Sequence, residues 1–113
     1  SRTMSQKIWE LFEAKKILLR DLKRLDLSEF TKKRSLEAFF GVDTKNFYEI
    51  VFLRSAKSRL LLKEASEINE ICTKFEEKFQ TKIKKRVIFY NSQICSKSLK
   101  YFKEQGWSCY DFV

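Results

Sequence analysis

Three features of the sequence predict an α/β (or α+β) fold. Apolar residues recur at helical spacing through the first third, short apolar runs later in the chain have the length of buried strands, and amphipathic segments alternate with those runs. The expected order is helix, helix, strand, an optional second strand, helix, strand, helix, strand. The sheet should be small, mixed or parallel, and crossed by helices, because buried strands separated by helices need crossover connections.

In "MSQKIWELFEAKKILLRDLKRLDL" the apolar residues Ile8, Leu11, Phe12, Leu18, Leu19, Leu22 and Leu25 fall at intervals of three and four, and Thr3 with Gln6 can form a capping box. A helix of about twenty residues is expected here. Ile8, Leu11, Leu18, Leu22 and Leu25 lie on its seam, broken at Lys15, and this stripe must be buried against the domain or a second copy. "SEFTKKRSLEAFF" reads as a second helix, capped by Asp26 or Ser28 and ended by Gly41, so residues 4–40 are expected to form a helical part. An α/β part, 47–113, follows. In "NFYEIVFLR" both alternating sets of positions are apolar, as in a strand buried on both faces. "RLLL" is either a returning strand, giving a hairpin of residues 47–62, or the start of the next helix. Ala65, Ile68, Ile71, Cys72, Phe75 and Phe79 form one face of that helix. "RVIFY" is a buried strand, "SKSLKYFKEQG" a helix with Gly106 just past its end, and "CYDFV" a closing strand. No Pro, Gly-rich or low-complexity linker interrupts the chain, so 1–113 reads as one domain.

Composition narrows the chemistry. An apolar content of 43%, with two Trp, four Tyr and eleven Phe, is enough for a core. No run approaches the roughly 20 apolar residues of a membrane span, and the N-terminus has no signal-peptide pattern, so a cytoplasmic protein that does not enter membranes is expected. "SRT" ahead of Met4, the only methionine, reads as a remnant before a native start. Cys72, Cys95 and Cys109 are odd in number and widely spaced, which fits reduced thiols better than a disulfide framework or zinc site. The chain has no histidine, and so lacks the commonest general base and transition-metal ligand. Gly41 and Gly106 are too far apart for a phosphate loop. No cofactor is implied.

Cys95 lies where a helix start lowers a thiol's pKa, yet no second cysteine or histidine stands beside it, and a half-buried structural residue is the simpler reading. Ser92 and Gln93 at the same helix start can hold a phosphate or merely cap the helix. Glu49, with Glu64 or Glu67, could meet at a sheet edge and hold Mg²⁺, although acids are ordinary in a first helical turn.

Residues Phe47–Val113, above all "RVIFYNSQICSKSLKYFKEQGWSCYDFV", resemble the C-terminal half of restriction-endonuclease-like domains of the PD-(D/E)XK superfamily. The resemblance implies a catalytic strand or hairpin, then helix, strand, helix and strand. With "RLLLK" as the catalytic strand, Lys63 matches the motif lysine and Glu49 the first acid, but Leu61 replaces the second acid. With "VFLR", Arg54 replaces the lysine and Phe52 the acid. The resemblance therefore implies a relative used for binding, with no catalytic residues and no metal ligands assigned. A glutaredoxin-like reading of strand, cysteine and helix lacks the paired cysteine and the proline loop.

The net charge of +9 favours a polyanionic partner. The expected function is a non-catalytic domain that binds the phosphate backbone of DNA or RNA. Lys32, Lys33, Arg34, Lys82, Lys84, Lys85, Arg86, Lys97 and Lys100 are the expected contacts, provided that their clusters share a face; otherwise each is the solvated side of its own element. The alternatives are a protein-interaction or homodimerisation module using Ile8, Leu11, Leu18 and Leu22, and a metal-dependent nuclease-like protein using Glu49 and Lys63.

Overall fold

The computed structural model describes residues 2–112, with side chains from residue 7 onward. The Thr3–Gln6 capping box lies outside the described side chains. Eight elements follow in the order α1 (Arg2–Ala14), β1 (Arg20–Leu25), β2 (Leu36–Val42), β3 (Tyr48–Arg54), α2 (Leu62–Phe79), β4 (Lys85–Tyr90), α3 (Ser96–Glu104) and β5 (Trp107–Asp111). One five-stranded mixed sheet runs β1-β2-β3-β4-β5. Its first three strands form an antiparallel meander, and α2 and α3 cross over to make β4 and β5 parallel to β3.

The sheet is covered on both faces. On one, Ala38, Phe40, Ile50, Phe52 and Ile88 pack with Ile68, Cys72 and Phe75 of α2 and Phe102 of α3. On the other, Phe39, Val51, Leu53, Val87 and Phe89 pack with Ile8 and Phe12 of α1. Two-sided burial explains why β3 and β4 are apolar at successive positions rather than alternately.

The N-terminal third departs from the expected two helices. Helix α1 stops at Ala14 because Lys16 adopts a left-handed conformation with φ 57°. The Ile17 amide then donates to Phe12 O at 2.8 Å and the Lys16 amide to Glu13 O at 3.2 Å, the pairing of a Schellman cap built without glycine. The chain reverses into β1, so the expected seam does not exist as one helical face. Ile8 is buried in the core, Leu11 packs beside it, Leu22 lies on β1, and Leu18 is exposed between elements. The expected second helix is a loop followed by β2. Gly41, expected to end it, lies inside β2 where β1 passes closely: a Cβ there would stand 3.0 Å from Leu19 Cβ and 3.2 Å from Arg20 O.

The C-terminal part follows the expected order once "RLLL" is assigned to the helix. Leu60 makes only an isolated parallel bridge to Ile94, and α2 begins at Leu62. Gln80, left-handed with φ 52°, ends α2 through a second glycine-free Schellman cap, in which the Thr81 amide donates to Glu76 O and the Gln80 amide to Glu77 O. Helix α3 ends before Gly106, whose φ of 86° fits a residue without Cβ. No helix among the described residues is long and apolar enough to cross a membrane.

Candidate nucleic-acid interface

Asp43 closes β2 and anchors the connection to β3. Its Oδ1 accepts hydrogen bonds from the Lys45 and Phe47 amides, both at 2.9 Å. Asn46 takes the left-handed conformation that a tight three-residue hairpin connection requires. The Asp43 side chain is thereby fixed, nine-tenths or more buried, at the amino end of β3.

Strand pairing brings two further charges to the same place. Glu49 near the start of β3 is the register partner of Lys85 at the start of β4, and both belong to the alternating set that faces α1. Lys85 Nζ stands 2.8 Å from Asp43 Oδ2, close enough for a strong ion contact. This ion contact is the buried Oδ2's polar interaction among the described residues, with no further hydrogen-bond donor placed on it. Lys85, with the Phe47 and Lys45 amides, lowers the pKa of Asp43 to about 2. Asp43 in turn raises that of Lys85. Burial pushes the Glu49 carboxyl upward, against the pull of Lys85 and with a smaller push from Asp43.

These groups share a cavity of about 370 Å³ with Lys16, from the cap of α1, and Lys84. Lys84 Nζ also lies 4.8 Å from the centre of the Phe47 ring. Three separate segments thus deliver Lys16, Asp43 and the Lys84–Lys85 pair to one opening.

The charged groups of the other expected basic residues point elsewhere. Lys32, Lys33 and Arg34 border a separate groove of about 820 Å³ with Arg24. Arg24 pairs there with Glu37 at 3.2 Å, and Lys33 turns out of the groove to pair with Glu67 of α2 at 3.3 Å. Lys82 borders a shallow depression beside Glu76 and Glu77. Arg86 also borders the first cavity, but its guanidinium turns to the α2 face, where it donates to Glu76 Oε1 and Asn69 Oδ1, each at 3.0 Å. Lys97 and Lys100 are on α3, across the sheet from α1. One shared basic face therefore does not form from all nine.

The carboxyl end of β3 is organised differently. Arg54 is 2% exposed, and all five of its N–H groups are used: Nε and one Nη2 hydrogen reach Glu64, the other Nη2 hydrogen reaches Ser58 Oγ, and Nη1 reaches Ser58 O and Ser92 Oγ. This places Glu64 and Lys63 at the opposite end of β3 from Glu49. The expected pairing of Glu49 with Lys63, or with Glu64 or Glu67, is not formed. Ser92 serves the Arg54 network. Cys95 is the N-cap of α3; its sulfur accepts from the Ser98 amide and lies 2.9 Å from Ser98 Oγ, contacts that lower its pKa. Cys72 is fully buried and raised to about 12 by burial.

A divalent metal, which the resemblance to nuclease domains brings into question, does not fit the donors at the amino end. Asp43 commits one oxygen to the turn and the other to Lys85, leaving Glu49 as the second carboxylate. Among the described residues no group of three or more His, Cys, Asp or Glu side chains could hold a metal ion.

No protein-family model and no curated protein matches the chain. Solved structures do. EndoMS in apo form aligns with TM-score 0.60 and 13% identity over 96% of this chain and 45% of its own. A repair endonuclease from Pyrococcus abyssi aligns with TM-score 0.60 and 15% identity over 99% of this chain and 46% of its own. An EndoMS-dsDNA2 complex aligns with TM-score 0.54 and 14% identity over 96% and 44%. These neighbours have the restriction-endonuclease-like fold. At such identities the likeness is one of fold, and this chain spans less than half the length of each neighbour.

Proposed function

We propose that this chain is a nucleic-acid-binding domain of restriction-endonuclease-like fold, which contacts the phosphate backbone without cleaving it. The observation that carries the reading is the convergence of Lys16, Lys84 and Lys85 on one cavity in a protein of net charge +9. Lysines from two distant parts of the chain make one cationic opening, whose summed field on a phosphate exceeds that of isolated surface lysines. The Lys32–Arg34 groove offers a second, more internally paired surface. Two neighbours of the same fold are a repair endonuclease and a complex with double-stranded DNA, which supports a nucleic-acid partner.

The non-catalytic part of the reading rests on β3. Glu49 is the only acid on that strand, and Val51, not lysine, stands two residues later. The lysine beside it, Lys85, comes from β4 and is engaged by Asp43.

Binding of labelled duplex DNA and structured RNA, followed by fluorescence anisotropy across a salt series, tests the proposal. Micromolar or tighter affinity at low salt is expected, with a logarithmic slope of about −3 on duplex DNA if three phosphates are neutralised. No binding to either partner would overturn it, and cleavage with Mg²⁺ would overturn its non-catalytic part.

A further inference from the structure

Beside the basic cavity lies a mainly apolar groove of about 630 Å³, lined by Trp9, Phe12, Ile17, Leu18, Leu19 and Val42 with Glu13 and Arg20 among its polar members. The two compartments share Ile17, Leu18, Asp43 and Thr44, so they adjoin, and together they lead from the cap of α1 to the amino end of the parallel strands. At the apolar end two large side chains are open to solvent, Trp9 at 53% and Leu18 at 69%. The Trp9 ring meets Phe12 nearly at a right angle, with centroids 5.9 Å apart, which fixes the indole while leaving about half of it uncovered.

We propose, building on the nucleic-acid reading above, that this channel takes single-stranded nucleic acid, with an unpaired base on Trp9 and Leu18 and the adjoining phosphates on Lys16, Lys84 and Lys85. An open aromatic surface joined to a cationic cavity matches the two parts of a nucleotide, a stacking base and a charged phosphate. A duplex fits less well, because its base faces are occupied by their neighbours in the stack. Charge complementarity also separates this occupant from a second copy of the chain, which would bring another +9 to a cation-rimmed channel. Asp43 and Glu49 offset part of the channel's charge, Asp43 chiefly that of Lys85, so Lys16 and Lys84 carry the larger share of its cationic character.

The protein carries its own probe, since Trp9 is open and Trp107, the other tryptophan, is 4% exposed. An oligothymidylate strand, a duplex of equal length, an abasic strand and polyglutamate should each be titrated while tryptophan emission and affinity are recorded. The thymidylate strand is expected to quench the open tryptophan and to bind more tightly than the duplex or the abasic strand. Trp9→Leu should abolish that quenching and weaken strand binding roughly tenfold, with Trp107 emission and circular dichroism reporting an intact fold. Strand binding without quenching, and undiminished in Trp9→Leu, would overturn the channel while leaving backbone binding in place. Absence of binding to any nucleic acid would overturn both readings. Equal quenching by polyglutamate would overturn the channel in favour of an acidic protein partner.

Discussion

Strand β3 has a charged cluster at each end, and the two are built in opposite ways. At the carboxyl end Arg54 is sealed from solvent with every donor satisfied, tying together β3, the chain before α2, α2 itself and the segment before α3. At the amino end Asp43, Glu49 and Lys85 gather around an open cavity, one carboxylate oxygen has only its ion contact with Lys85, and burial works against the charge on Glu49. A saturated network fixes the geometry of the loops it joins. An open one with exposed lysines at its rim leaves Lys16 and Lys84 within reach of a ligand, so the fold places its structural ionic work and its candidate binding surface at opposite ends of one strand.

The largest effect is expected at the sealed end. Glu64→Ala leaves the Arg54 guanidinium buried without its carboxylate, and the expected loss is about 3–5 kcal/mol of folding stability, measured by urea denaturation. A loss comparable to that of an exposed ion pair, about 0.5 kcal/mol, would show that the network is not structural.

Smaller effects of opposite sign are expected at the open end. Asp43 is depressed to about 2, so its contribution to stability is present above its ordinary value of 3.8 and is lost as pH falls through about 2. Glu49 is raised above its ordinary 4.5, so the protein gains stability from this group as pH falls towards 4.5, and ionising it at neutral pH is costly. Glu49→Gln should therefore raise Tm at pH 7, with a gain that shrinks as pH falls towards 4.5. A drop in Tm at pH 7 would show that Lys85 outweighs the cost of burying Glu49.

How far these features can be read from sequence differs along the chain for physical reasons. β3, β4 and α2 are bounded by unambiguous apolar patterns, and Gly106 marks the end of α3. The N-terminal third misleads because Leu36, Phe39 and Phe40 are spaced as on a helix and "LEAFF" begins with good helix formers, yet pairing with β1 and β3 makes it a strand. The reversals at Lys16 and Gln80 carry no glycine signal, so a cap formed by an ordinary residue passes for continued helix. At the site, Lys84 and Lys85 stand out as a basic run. Asp43 escapes notice because its role depends on the register of strands far apart in sequence, although "DTKN" has the residue types of a turn. Lys16 reaches the same cavity only because the first helix stops early.

The open end and the far side of the sheet can be set against each other in one binding experiment. Lys16→Gln with Lys84→Gln removes two channel charges while sparing the Asp43–Lys85 contact, and Lys97→Gln with Lys100→Gln removes two charges from α3. Binding of the same single-stranded oligonucleotide should be measured for both variants across a salt series. If the open end is the binding surface, the first pair weakens binding and reduces the salt slope by about 1.4, while the second changes both far less. Equal losses from the two pairs, or a larger loss from α3, would place the phosphate contacts elsewhere and refute the assignment of the open end.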